Sequence, residues 1–141
     1  MKEVIINAEG CIVGRLSSIV AKRLLNGEKI NIVNAEKAII SGNESAIFQY
    51  YKEKTDRGDE YLGPFYPKRP DQILKRTIRG MLPYKKQRGE EAFKRLKVFI
   101  SVPEKFKNKK MEVIEKAKSN FKYKYSTLGD ISIRLGAKKT W

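Results

Sequence analysis

Histidine is absent from this 141-residue chain, and cysteine occurs only once, as Cys11. The absence of histidine excludes catalytic triads, general bases and zinc sites that depend on an imidazole ring. A single cysteine excludes an intrachain disulfide and any metal site built from several thiolates, and it favours a reducing, cytosolic compartment. We therefore predict no metal site and no catalysis that depends on histidine.

Apolar runs are short and acidic residues are few. No segment approaches the roughly 20 consecutive apolar residues that a membrane-spanning helix needs, and residues 1–10 lack the apolar core of a signal peptide. The chain has 31 Lys and Arg against 16 Asp and Glu, which gives a net charge of +15. Such an excess predicts a polyanionic partner, nucleic acid before an anionic membrane surface.

A strand, a helix and a second strand are predicted within the first 34 residues. Residues 4–6 are a short apolar run, and residues 16–24 carry apolar side chains at helical spacing before Asn26 and Gly27 end the pattern. Residues 29–34 form the second predicted strand. This order is typical of a βαβ unit, in which the strands are parallel and the crossover is right-handed.

Two more strands are predicted further along. Residues 38–40 predict a very short strand, and residues 98–102 predict a buried strand that Pro103 closes. The order of elements indicates an α/β sandwich with a small parallel sheet between helices. The length fits one domain over residues 1–141, with a compact core over about 1–103 and a basic C-terminal extension over about 104–141.

Two helix starts are predicted from capping residues. Residues 41–44 have the spacing of a capping box, and Ile47, Tyr50 and Tyr51 follow on one helical face. Thr127 is the predicted N-cap of a short helix near the C-terminus.

Positive charge is concentrated between Lys68 and Lys97. This stretch holds eleven Lys and Arg and three acidic residues, and so carries +8 of the chain's +15. Pro70 suits the first turn of a helix, because its missing N–H would have no intrahelical partner there. One face of this predicted helix is apolar: Leu74, Ile78, Met81 and Leu82.

The same helix has a cationic face, because Lys75, Arg76 and Arg79 lie three or four residues apart. Arginine binds phosphate oxygens through paired hydrogen bonds, and lysine binds them as a point charge. The alternative is a solvated face with no partner. Solvated faces mix both signs of charge, whereas this one is nearly all positive, so we predict that it binds an RNA backbone.

Gly80 interrupts this helix at a cost of ~1 kcal/mol relative to alanine. One explanation is tight packing against another helix. The other is close approach of an RNA backbone. The sequence leaves both open.

Aromatic residues alternate with cations on either side of the helix. Tyr61, Phe65, Tyr66 and Tyr84 are close in sequence to Lys and Arg, and such rings stack on unpaired bases at about 1–3 kcal/mol per base. The alternative, favoured for Phe65, is that the rings hold a long loop against the core.

The N-terminal unit has some features of a dinucleotide site. Gly10 and Gly14 follow a strand and open a helix, and Glu36 follows the second strand, where a ribose-binding acid would lie. However, this glycine spacing is not G-x-G-x-x-G, and the chain has no G-x-x-x-x-G-K-[ST] motif. A small nucleotide-binding enzyme is the alternative hypothesis, and we predict no cofactor.

The basic stretch also resembles a known family. The segments RGMLP at residues 79–83 and RLKVF at residues 95–99, with Lys85, Arg88, Gly89 and Ala92 between them, are similar to the core signature of the large-subunit ribosomal protein thirteen family (L-thirteen). The segments GPF at 63–65 and TLG at 127–129, together with the lack of histidine, resemble archaeal-type members. Ser101 departs from the family pattern, which more often has glycine there.

The resemblance implies a three-layer sandwich in which a small, mainly parallel four-stranded sheet is flanked by helices, with basic loop and C-terminal extensions. It implies a structural constituent of the large ribosomal subunit, in the cytoplasm, that binds and stabilises 23S-type rRNA, joins early in assembly and catalyses no reaction. The expected partners are this rRNA and neighbouring large-subunit proteins, with no membrane and no homo-oligomer. The predicted RNA-binding residues are Arg15, Arg57, Lys68, Arg69, Lys75, Arg76, Arg79, Gly80, Tyr84, Lys85, Lys86, Arg88, Arg95, Lys109 and Lys110.

Overall fold

The computed structural model describes residues 3–57, 66–119, 122 and 124–141. Helices and strands are both present, so the α/β class is confirmed, and none of the described helices is long and apolar enough to cross a membrane. The strands are β1 (Glu3–Asn7), β2 (Lys29–Val33), β3 (Ile39–Ser41), β4 (Leu96–Val98) and β5 (Tyr125–Thr127). The helices are α1 (Val13–Leu25), α2 (Glu44–Asp56), α3 (Pro70–Gly80), α4 (Gln87–Lys94) and α5 (Leu128–Arg134), and short 3-10 turns cover Ala35–Lys37, Glu104–Phe106 and Glu115–Ala117.

The strands form two sheets. β1, β2 and β4 form a parallel sheet with β2 in the middle, where Ile6 pairs with Ile32 and Ile32 pairs with Val98. β3 and β5 form a separate antiparallel pair, with Ile39 opposite Thr127. The expected single sheet of four strands is therefore wrong in its count, because within the described residues β3 pairs with a strand from near the C-terminus and does not extend the parallel sheet.

The first βαβ unit is confirmed. β1 and β2 are parallel and α1 connects them. Leu16, Val20 and Leu24 of α1 are fully buried. Asn26 caps the helix end, and Gly27 follows with a φ of 97°, a left-handed value that glycine adopts without steric cost.

The parallel sheet carries an apolar cluster on each face, because successive side chains of a strand point to opposite sides. Ile6 and Ile32 belong to the larger cluster, which includes the buried residues of α1 and α3. Ile5 and Val33 belong to a smaller cluster with Phe106. The sheet is thus the middle layer of the fold.

β4 lies earlier in the chain than predicted, at Leu96–Val98 and not at residues 98–102. Phe99 still donates its N–H to the carbonyl of Ile32 at 2.8 Å, but Ser101 has a φ of +54°. A residue in the left-handed region cannot continue an extended strand, so the strand ends before it.

The N-cap of α2 is Asn43 and not the first residue of the predicted capping box. The Asn43 side chain accepts a hydrogen bond from the backbone N–H of Ser45 at 3.0 Å. Ser41 instead belongs to β3, where it pairs with Tyr125. The capping-box prediction is wrong because pairing with β5 keeps Ser41 in a strand.

Two side chains assigned to buried helix faces are exposed. Tyr50 is 55% exposed and Met81 is 44% exposed. Ile47 and Tyr51, four residues apart, occupy the buried side of α2, so Tyr50 lies beyond its edge. α3 begins at Pro70 as predicted but ends at Gly80, which leaves Met81 past the last helical turn.

Residues beyond 104 take part in the packed interior. Thr127 caps α5 as predicted, by accepting a hydrogen bond from the backbone N–H of Asp130 at 3.2 Å. Leu128 and Ile131 are fully buried, and both belong to the larger apolar cluster. The segment expected as a basic extension therefore contributes a strand and a helix to the core.

Candidate nucleic-acid interface

The cationic face of α3 lies opposite its buried face. Leu74 and Ile78 are fully buried, whereas Lys75, Arg76 and Arg79 are only partly buried. Spacings of three and four residues place each set on its own side of the helix. Burial of the apolar side against the core thus holds the cations at the surface.

Each cation of this face lies over an aromatic ring from a different segment. The attraction between a ring quadrupole and a cation is worth ~0.5–1 kcal/mol at exposed sites. Each ring therefore helps to hold the side chain of its Lys or Arg in one extended conformation. We call these six residues the cation–aromatic surface: Lys75 Nζ is 5.2 Å from the Phe93 ring centroid, Arg76 Cζ is 5.5 Å from that of Tyr66, and Arg79 Cζ is 4.6 Å from that of Tyr84.

The basic turn between α3 and α4 is held in place by Gly89. Gly89 is buried in the first turn of α4, and a Cβ added there would collide with the carbonyl of Pro83. Only glycine permits backbone segments to approach so closely. Lys85 and Lys86 of the turn and Arg88 in the first turn of α4 are all exposed, and we call these three residues together the basic turn.

Three further predicted cations precede α3 in the chain. Lys68 and Arg69 are exposed just before the helix, and Arg69 Nε lies 3.5 Å from Asp71 Oδ1. Arg57 is exposed at the C-cap of α2. Asp71 is buried whereas Arg69 is exposed, so the pair holds the Arg69 guanidinium at the surface beside the start of α3.

Gly80 has open space around its Cα. It is exposed, and a Cβ added there would meet no heavy atom within 4 Å. Packing against another helix, one of the two explanations for this glycine, is therefore wrong. Close approach of an RNA backbone stays a prediction.

Arg95 faces inward. It is partly buried, and its Nη2 donates a hydrogen bond to the carbonyl of Leu24 in the last turn of α1. The carbonyls at a helix C-terminus lack intrahelical partners and attract cations. Arg95 thus links β4 to α1, and its contact with RNA stays a prediction.

The remaining predicted cations lie on other elements of the fold and not on α3. Arg15 is exposed in the first turn of α1. Lys109 and Lys110 are exposed beyond the smaller apolar cluster, where Lys109 Nζ lies 5.8 Å from the Phe106 ring. The structure therefore divides the predicted residues among several parts of the surface.

Sequence reasoning missed Tyr50 and Lys54. Lys54 Nζ lies 4.3 Å from the Tyr50 ring centroid and 5.3 Å from that of Tyr66. The spacing of four residues within one helix was the available signal. Tyr61 and Phe65, which the sequence analysis singled out, lie outside the described residues.

Tyr66, in the cation–aromatic surface, and Tyr51, beside it, keep their hydroxyl protons. Burial raises the pKa of the Tyr51 hydroxyl, and nearby Tyr66 and Tyr50 add to the effect. Burial also raises the pKa of Tyr66, although the Lys54 cation acts in the opposite direction. Neither ring introduces a negative charge next to the cations at neutral pH.

Glu36 has a structural role that the sequence did not reveal. Its carboxylate is 3% exposed and accepts the backbone N–H of Ser101 at 3.0 Å and the Ser101 hydroxyl at 3.2 Å. A ribose-binding acid needs a carboxylate that faces a ligand. The Glu36 carboxylate instead faces the loop that follows β4.

Comparisons with known proteins agree on one family. The family model described as ribosomal protein L13 matches residues 1–105. The large ribosomal subunit protein uL13 of Archaeoglobus fulgidus is 52% identical over 135 residues, which cover 94% of this chain and 86% of that protein.

Two other relatives are similar over nearly their full length. The uL13 protein of Methanosarcina barkeri is 50% identical over 137 residues, which cover 95% of this chain and 98% of that protein. The uL13 protein of Haloarcula marismortui is 48% identical over 143 residues, which cover 99% of this chain and 94% of that protein.

Proposed function

The chain belongs to the ribosomal protein L13 family, and from this we propose that it binds and stabilises large-subunit rRNA through many Lys and Arg contacts with phosphates. The resemblance seen in residues 79–99 is confirmed, including its archaeal type. The family is structural and not enzymatic, so the chain is a structural protein of the large ribosomal subunit in the cytoplasm. The hypothesis of a nucleotide-binding enzyme is wrong.

The observation that carries the proposal is the arrangement of charge on and after α3. The cation–aromatic surface presents three cations, and the turn held by Gly89 presents three more. Concentrated charge of one sign repels itself, and an RNA backbone removes this repulsion by supplying the opposite charge.

Such contacts position a protein on RNA but carry little sequence information. The deep, narrow major groove of A-form RNA is closed to side chains, so folded RNA is recognised mainly by its shape. Specificity for large-subunit rRNA then comes from matching separate cationic parts of the surface, on α3, α1 and residues 109–110, to one RNA fold.

The proposal has four finer parts. The protein joins early in subunit assembly, it contacts neighbouring large-subunit proteins, and it does not form homo-oligomers. Residues 1–141 act as one domain. These parts are supported by the family membership and by the burial of C-terminal side chains such as Leu128 and Ile131 in the larger cluster.

The test is binding to two transcripts over a range of salt concentrations. One is the large-subunit rRNA of Archaeoglobus fulgidus, and the other is its small-subunit rRNA. We expect tighter binding to the first at every salt concentration. For Arg79→Gln, we expect weaker binding and a log–log salt slope that is smaller by about one unit, because one phosphate contact is lost.

Two outcomes contradict the proposal. Equal affinity for both transcripts would show that the protein binds RNA only as a general polycation. Wild-type affinity and slope for Arg79→Gln show that α3 does not face RNA. As a control, Lys52→Gln removes a charge that is already paired with Asp56 at 3.3 Å and should change the slope less.

A further inference from the structure

A groove lies between α2 and α3, next to the cation–aromatic surface. Its floor is at Gly80, which is exposed and has open space above its Cα. Its sides include two exposed large side chains near α3, Tyr50 at 55% and Met81 at 44% exposure. We call it the α2–α3 groove, and the residues that the argument uses are Tyr50, Lys54, Tyr66, Arg76, Gly80 and Met81.

The groove combines apolar walls with positive charge. Lys54 Nζ lies between two rings, 4.3 Å from the Tyr50 centroid and 5.3 Å from the Tyr66 centroid. Arg76 reaches the other wall, with its Cζ 5.5 Å from the Tyr66 centroid. Among the described residues that line the groove, none is acidic, so its occupant carries negative charge.

The shape of the occupant follows from the walls and the floor. Tyr50 and Met81 line the same groove and are both exposed, so they offer apolar surface to a flat group, and Lys54 offers a positive charge to a negative group beside it. A backbone passing over Gly80 meets no side chain. A nucleotide outside a helix has all three features, since its base has two free faces and its phosphate is negative.

We propose that the α2–α3 groove binds one unpaired nucleotide of RNA, with the base against Tyr50 and Met81 and the phosphate beside Lys54. This inference rests on the proposed function and adds a different kind of contact to it. The cations of α3 and the following turn contact phosphates, so they respond only to the charge of the RNA backbone. The groove instead recognises an unpaired base at one position of the RNA.

The experiment measures binding of the full chain to the Archaeoglobus fulgidus large-subunit rRNA transcript at several salt concentrations. Tyr50→Leu removes the ring and keeps an apolar side chain, and we expect about 5- to 150-fold weaker binding, the equivalent of one stacked base. The salt slope should change by less than one unit, because the substitution alters no charge and leaves Lys54 in place. Tyr50→Phe keeps the ring and should bind within about twofold of wild type.

The matched control is Gln49→Ala. Gln49 is exposed on α2 beside Tyr50 and does not line the groove. The RNA affinity of the Gln49→Ala variant should therefore equal that of wild type. Thermal unfolding of each variant shows whether weaker binding comes from the lost contact or from a less stable fold. Because Tyr50 is exposed, we expect Tyr50→Leu to unfold at the wild-type temperature.

The outcomes separate the two proposals. If wild-type protein binds this transcript no better than small-subunit rRNA, the proposed function fails. If wild type binds selectively and Tyr50→Leu binds equally well at every salt concentration, only the groove proposal is overturned. A Tyr50→Phe variant that binds as weakly as Tyr50→Leu also overturns it, because an aromatic ring would then not be what the base needs.

Discussion

The carboxylate of Glu36 accepts the backbone N–H and the hydroxyl of Ser101, 65 residues further along the chain. This contact joins the end of β2 to the loop after β4 and fixes Ser101 at a φ of +54°. The left-handed φ is one that glycine adopts without steric cost. Serine, which adopts this conformation at a cost, gains a hydrogen bond that glycine cannot make.

Replacing Ser101 should therefore distinguish backbone from side-chain effects. Ser101→Ala loses the hydroxyl bond and keeps the steric cost, so we expect a loss of about 1 kcal/mol in the free energy of unfolding. Ser101→Gly loses the same bond but removes a cost of about 1 kcal/mol, so the two changes offset. Urea unfolding measures both variants, and equal midpoints for the alanine and glycine variants would refute this account.

Two glycines in neighbouring helices should respond in opposite ways to alanine. Gly89→Ala places a methyl group against the Pro83 carbonyl, and we expect a loss of about 1–3 kcal/mol in the free energy of unfolding from overpacking. Gly80→Ala adds a methyl group in open space and should stabilise the free protein by up to ~1 kcal/mol through helix propensity. Chemical denaturation of the two variants side by side checks the difference in sign.

The same Gly80→Ala variant should bind RNA less tightly. If an RNA backbone passes close to this glycine, the added methyl group obstructs it while the fold becomes more stable. Affinity for the large-subunit rRNA transcript should fall, with Gln49→Ala, exposed on α2 and outside the groove, as the control. An affinity equal to wild type, together with increased stability, would mean that RNA stays away from Gly80.

Arg95→Lys should test the inward contact of this arginine. Lysine keeps the charge but does not reproduce the reach of the guanidinium to the Leu24 carbonyl. We expect a loss of about 1.5–3 kcal/mol in the free energy of unfolding, the range for hydrogen bonds to charged groups. The salt slope of RNA binding should be unchanged. A variant as stable as wild type would refute this account of the inward contact.

Neutralising the basic turn should affect RNA binding alone. Lys85, Lys86 and Arg88 are all exposed, so changing the three to Gln should alter the free energy of unfolding by less than ~0.5 kcal/mol per site. The log–log salt slope should fall by up to about three units. Circular dichroism during heating and filter binding over a salt series measure the two effects, and an unchanged slope would remove the turn from the interface.

Local patterns in the sequence gave the elements whose signals are contained within a few residues. Pro70 marked the start of α3, Asn26 and Gly27 marked the end of α1, and Thr127 marked the start of α5. The capping box failed because Asn43, two residues after Ser41, satisfies the first turn of α2 equally well. Spacing alone could not choose between the two caps, since pairing with β5 decided it.

The candidate site was predictable in part. The charge count and helical spacing identified Lys75, Arg76 and Arg79 as one cationic face, and the family resemblance identified the family. The rings that lie under these cations come from Tyr66, Tyr84 and Phe93. Their pairing with particular cations, and the groove beside Tyr50, depend on how α2, α3 and α4 pack.

By itself, the sequence determined the positive charge, the absence of imidazole chemistry, the βαβ unit and the family. These are sums, absences and short-range periodicities, which do not depend on distant contacts. Only the tertiary structure decided that β3 pairs with β5, that Glu36 holds Ser101, and that Gly80 is open while Gly89 is closed. Each of these depends on atoms that packing brings together. The spacing of residues along the chain does not reveal which distant atoms come into contact.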